Sequence, residues 1–99
     1  MSISIAYQFS AVVWQYSQTG GWYFVSLPIE LATEIRELFK TQEEGWGRMK
    51  AKAKISETLW DTAIWYDTKL NTYILPLKAI IRKKEKIEVG SILKIEVLL

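Results

Sequence analysis

The sequence predicts a small, mainly β fold: six strands forming a barrel, with one longer and one short α-helix. Three observations predict it. Residues 48–55 alternate without exception, with Arg48, Lys50, Lys52 and Lys54 on one face and Met49, Ala51, Ala53 and Ile55 on the other. That period of two is the mark of a strand with one buried face. Leu-Pro occurs twice, at Leu27-Pro28 and Leu75-Pro76, each time after an apolar run and before a helical one. Finally, Arg82 and the turn Val89-Gly90-Ser91 lead into a last apolar segment.

The elements follow in order. Odd positions from Ile3 to Val13 are apolar while the even ones begin Ser2, Ser4, Ala6, Gln8, Ser10, which predicts a first strand over 3–13. Ser17-Gln18-Thr19-Gly20-Gly21 reads as a turn, because glycine enters positive φ without penalty. An aromatic and β-branched run over 22–27 returns as the second strand. Pro28 sits where a first helical residue has no partner for its N–H anyway. Leu31, Ile35, Leu38 and Phe39 then form an apolar stripe, and Gly45 and Gly47 close the helix around Trp46. After the strand at 48–55, Ser56-Glu57-Thr58 predicts a turn and 60–66 a fourth strand. Asp67-Thr68-Lys69-Leu70-Asn71 predicts a second turn into a strand at 72–75. Pro76 opens a short helix to about residue 84, and 92–98 forms the last strand.

Composition bounds the chemistry. A chain of 99 residues is one domain, 1–99, and a hydrophobic fraction of 49% can fill its core. Without cysteine or histidine there are no thiolate nucleophiles, no disulfides and none of the usual zinc ligand sets. The side chain that most often moves protons near neutral pH is missing as well. Ser10, Ser17, Ser26, Ser56 and Ser91 have no histidine to activate them, and the glycine pairs lack a strand–glycine–helix context. Catalytic residues, metal ligands and cofactors are therefore all expected to be none. No apolar run reaches the roughly 20 residues of a membrane span. Residues 1–5 alternate like a strand and lack a basic lead, so the expectation is a cytoplasmic protein without a signal peptide.

Read together, Phe9, Trp14, Trp22-Tyr23-Phe24-Val25-Ser26-Leu27-Pro28, Trp60-Asp61-Thr62, Tyr73-Ile74-Leu75-Pro76-Leu77-Lys78-Ala79, Arg82 and Gly90 resemble a bacterial family. It is the domain of unknown function nineteen-oh-five family, and the likeness runs from about Ile5 onward. The resemblance implies a double-split β-barrel flanked by helices, and implies no activity. The chain departs from the family pattern at Ser91, where an acid often follows the turn glycine, and at Ser56-Glu57, where the turn is often glycine-rich. Pro76, Arg82, Ile87 and Gly90 also resemble the second half of AbrB-like swapped-hairpin DNA-binding domains, over about a quarter of the chain.

Two sets of residues are candidates for binding. Trp60, Thr62, Tyr73, Lys78 and Arg82 could line an aromatic pocket suited to a small anion or carboxylate; the plainer alternative is barrel core and helix capping. Residues 46–86 hold ten Lys/Arg against four Asp/Glu, although the net charge is only +2. Within them, Arg48, Lys50, Lys52 and Lys54, beside Trp46, and the cluster of Arg82, Lys83, Lys84 and Lys86 could track phosphates. Against this stands a solvated face, or an edge strand guarded by lysines, with Glu88 or Glu96 as neutralising neighbours. For Arg82 the preferred role is structural, its planar fork locking the helix to a carbonyl or carboxylate. The sequence thus points to a non-catalytic binding module, a monomer or weak homodimer, for a small anionic ligand or a protein. Nucleic-acid binding is the alternative.

Overall fold

The computed structural model describes residues 5–16, 21–43 and 45–99. The first four residues, residues 17–20 of the turn predicted at 17–21, and the Trp46 side chain lie outside the described residues. Strands β1 (Ala6–Val12), β2 (Trp14–Gln15) and β3 (Tyr23–Ser26) precede helix α1 (Ile29–Phe39). Strands β4 (Arg48–Ile55), β5 (Thr58–Asp67) and β6 (Thr72–Pro76) follow, then helix α2 (Ala79–Glu85) and strand β7 (Ile92–Leu98). The fold is mainly β: one antiparallel sheet of seven strands, in the order β1-β7-β4-β5-β6-β3-β2, with two α-helices.

The outermost strands of that order, β1 and β2, are neighbours in sequence, separated by Val13 alone. One polypeptide run therefore pairs with β7 through its first part and with β3 through its second, and the sheet curls into a barrel-like form. Val13 sits at the bend, 1% exposed, its N–H donating to Ser91 and its carbonyl accepting from Gly90, both at 2.9 Å. This bend makes the count seven rather than the predicted six, because the two-residue β2 follows the predicted first strand.

Inside the curl, alternate residues converge as the period-2 pattern requires: Tyr7 and Phe9, Met49, Ala53 and Ile55, Ile64, Leu75, Ile95 and Val97 are all buried. Helix α1 adds Ala32, Ile35 and Phe39, whereas Leu38, assigned to its apolar stripe from sequence, is exposed. The helix also stops at Phe39, short of the glycines thought to end it, and two turns of 3₁₀ helix carry the chain to β4. Thr72 ties β6 to the chain after β3 by donating to the Leu27 carbonyl at 2.7 Å.

Three turns show how local chemistry sets the register. The β5–β6 connection is an Asx turn: the Asp67 carboxylate accepts the N–H groups of Lys69 and Leu70 at 2.8 and 3.0 Å, and Asn71 takes a φ of 59°. After α2, Ser91 does what an acid could do, its hydroxyl accepting the Glu88 N–H at 3.1 Å. Between Ile55 and Thr58, Ser56 and Glu57 form a two-residue hairpin loop in which Ser56 has a φ of 52°. A Cβ is disfavoured there, so Ser56→Gly is expected to stabilise the fold by about 0.5 kcal/mol. Urea unfolding of the variant beside the parent checks this, and a lower midpoint would contradict it.

Candidate anion-binding cleft

The site begins with Pro76. In an antiparallel sheet, alternate residues direct both backbone groups to the same neighbour. Leu27 N–H donates to the Tyr73 carbonyl and Leu77 N–H to Tyr23, both bonds joining the β3 side to the β6 side, so odd residues of β6 face β3. Ile74 and Pro76 therefore face β5. Ile74 pairs with Trp65, but Pro76 has no N–H to offer, and the ladder ends at that pair. Pro76, expected from sequence to open the helix, is instead the last residue of β6, and α2 starts three residues later.

Beyond this point β5 continues for seven residues without β6 beside it, since β6 pairs only with Trp65, Tyr66 and Asp67. A cleft of 460 Å³ lies there, lined on the β4–β5 side by Arg48, Lys50, Asp61, Thr62, Ala63 and Trp65, and across from them by Pro76 and Lys78. Ala63 stands between Lys50 and the gap in the β4–β5 register, and its small side chain lets the lysine reach across. Arg48 is paired with Trp65 and lies over its ring, 5.7 Å from the centroid. Among the described residues, Asp61 is the one carboxylate of the lining, and Lys52 stands directly beside it on β4.

The cleft thus draws from both candidate sets. Thr62 and Lys78 join Arg48 and Lys50, while the other candidates go elsewhere. Strand β4 is no edge strand, because β5 and β7 pair with it on either side. Lys54 lies beside Glu96 of β7 and Lys52 beside Asp61, so the four cations do not form an uninterrupted stripe. Glu88, the other acid considered, lies outside the strands. Lys83, Lys84 and Lys86 are exposed and absent from the cleft lining, and Lys86 closes α2 in the left-handed conformation. Trp60 packs against the core with its indole N–H buried and, among the described residues, without a hydrogen-bond partner.

Arg82 is committed to the fold. Its Nε donates to the Leu77 carbonyl at 3.1 Å and its guanidinium stacks on Tyr23, 3.8 Å from the ring centroid. This is the carbonyl lock expected from sequence.

Tyr73 is fully buried, and its hydroxyl donates to Glu43 at 2.5 Å. Burial, then that hydrogen bond and the carboxylate's charge, push the phenol well above its ordinary value of 10.0, with Arg36 pulling the other way. Tyr7 is raised too, first by burial and then by Glu34. In both cases the folded state keeps a proton that the unfolded chain releases above about pH 10. Their contribution to stability is therefore whole below that pH and is lost as pH climbs toward the folded values. Urea midpoints measured from about pH 8 to 11 are expected to fall at the alkaline end. Tyr73→Phe should shrink the fall, leaving the Tyr7 share; an unchanged slope would count against the assignment.

Sequence reading did not find the group around Arg36. Its guanidinium lies over the Tyr66 ring, 3.7 Å from the centroid, Tyr66 meets Tyr73 edge-on at 5.2 Å, and the Tyr66 hydroxyl donates to Asn71 at 2.7 Å. Only the fold brings residues 36, 43, 66 and 73 together. Trp65 could have been found, since it shares the outer face of its strand with Asp61 and Ala63. Among the described residues, no three carboxylates gather to hold a metal ion, and no helix is long and apolar enough to cross a membrane.

A curled, mainly β sheet with two helices, split where a proline ends one ladder, defines the class of protein. Residues 9–97 match the family model described as Domain of unknown function (DUF1905), and the chain belongs to that family. The resemblance carried by Phe9, the Trp22–Pro28 run and Gly90 is thereby borne out. No curated protein matches the chain.

Proposed function

We propose that the protein is a non-catalytic binding module whose double-split barrel takes an anionic ligand in the cleft between β5 and β6. The observation that carries this reading is the convergence of Lys50, Lys78 and Arg48 on a gap walled by Trp65 and Pro76. Lysines at the rim attract an anion, and the Trp65 face suits a flat apolar group beside it. Thr62 supplies a hydroxyl that can donate to the ligand. The broken cation row, with Asp61 and Glu96 set among the lysines, fits a compact anion better than a long phosphate backbone.

Isothermal titration with inorganic phosphate, benzoate and an aromatic phosphomonoester tests the reading, alongside single-stranded DNA and RNA at two salt concentrations. Binding of a small anion, strengthened by Asp61→Asn, supports it. Silence from all three small anions, or binding of nucleic acid alone with a steep salt dependence, removes it.

A further inference from the structure

We infer that the cleft takes an extended acidic peptide, which adds a strand to the open edge of β5 at Leu59 and Asp61. The inference rests on the anion-binding reading and names its ligand class. Two independent features fix which backbone groups are open. From the β6 side, the pairing of Trp65 with the β5-facing Ile74 turns the odd residues of β5 toward β6. From the other side, the two-residue loop makes Ile55 and Thr58 the closing pair, so Thr58 and the even residues turn toward β4. Both give the same parity.

The N–H and C=O of Leu59 and Asp61 therefore point away from β4. No backbone bond joins them to Leu77 or Lys78, and β6 does not reach them. The carbonyl of Ala63 faces Pro76, which has no N–H to give it. Both Leu59 and Asp61 are exposed. Natural sheets usually cover or charge such an edge, and an open one is a template for a further strand. Helix α2 stands across the gap, with Lys78 at the cleft and Glu85 accepting the Thr58 hydroxyl at 2.6 Å, so entry is from the outer face.

The outer-face rows specify the peptide. At the Ala63 end, where Pro76 bounds the gap, the peptide's terminal acidic side chain meets Lys50 beyond the small alanine, and Lys78 across the cleft. Opposite Asp61 an acid is repelled, so a neutral hydroxyl belongs there. Opposite Leu59, Lys54 lies one strand further on, already beside Glu96. The site asks for acid, any, hydroxyl; the probe adds a second acid at the Leu59 end, giving acid, any, hydroxyl, any, acid. It reads the same in both chain directions, so it holds for parallel or antiparallel addition.

The probe is the blocked pentapeptide Glu-Val-Thr-Val-Glu, compared with Thr-Val-Glu-Val-Thr and with two versions N-methylated on alternate residues. In an added strand only one alternate set of amides bonds to β5. Methylation of that set should weaken binding at least about tenfold, as expected for lost edge hydrogen bonds, while the other set binds like the parent. Hydrogen exchange at the Leu59 and Asp61 amides should slow about tenfold or more on saturation, and the swapped peptide should bind less tightly. Equal binding of the two methylated forms overturns strand addition and leaves a charge-only site. Binding of benzoate or phosphate without the peptide overturns the peptide assignment alone. Failure of peptide and small anions together overturns the anion-binding reading as well.

Discussion

Replacing Gly47 with alanine is expected to lower the unfolding free energy by about 3 kcal/mol, an unusually large loss for one methyl group outside the core. Gly47 has a φ of 72°, where an L side chain costs about 1–2 kcal/mol per residue. A Cβ there would also lie 3.0 Å from the Cβ of Tyr66 and within 3.6 Å of its backbone nitrogen and oxygen. Tyr66 cannot retreat cheaply. Its ring is pressed between Arg36 and Tyr73, and its hydroxyl is held by Asn71. Forcing a close-packed site to move costs about 1–3 kcal/mol. Gly45→Ala is the control, because nothing lies within 4 Å of a Cβ at that position. Urea unfolding of both variants decides the matter, and equal small losses would show that the Tyr66 contact yields easily.

The second large effect concerns binding. Lys50→Ala combined with Lys78→Ala should weaken the affinity for a small anion about a hundredfold, taking about 1.5 kcal/mol for each charge-assisted contact. Both lysines are exposed, so stability should change by no more than about 0.5 kcal/mol. Lys83→Ala with Lys84→Ala removes the same charge from outside the cleft and should leave binding nearly intact. Titration of the two double variants at matched salt separates the cases. Equal losses would mean that the ligand answers to the overall field of the protein rather than to the cleft.

How much of this was legible in the sequence depends on which physical signal each residue carries. The strands at 48–55 and 92–98 were read with their observed bounds, the first because strict alternation is a local signal that survives tertiary packing. The helix ends were misplaced, because Gly45 and Gly47 serve 3₁₀ turns and a close approach to Tyr66 rather than a helix cap. Pro76 was misread for a subtler reason. A proline after an apolar run starts helices often, but here its missing N–H acts sideways, on the neighbouring strand. Which side that N–H would have faced is a matter of register, and register is set by pairing across the sheet. The same holds for the candidate site. Thr62 and Lys78 reach the cleft, whereas Tyr73 and Arg82 find internal partners in Glu43, Leu77 and Tyr23 that no spacing rule discloses.

The bend at Val13 has a kinetic consequence. Its strand joins the two ends of the sheet, and the ladder that closes the curl links residues such as Gln8 and Glu96, 88 positions apart in the chain. Hairpins such as β4–β5 can form early from neighbouring residues, but this seam has to wait for a long loop to close. During synthesis β1 emerges long before its partner β7 and stays unpaired on that side until the ribosome has delivered it. The apolar row of Tyr7, Phe9 and Ala11 is then the segment most in need of shielding in the nascent chain.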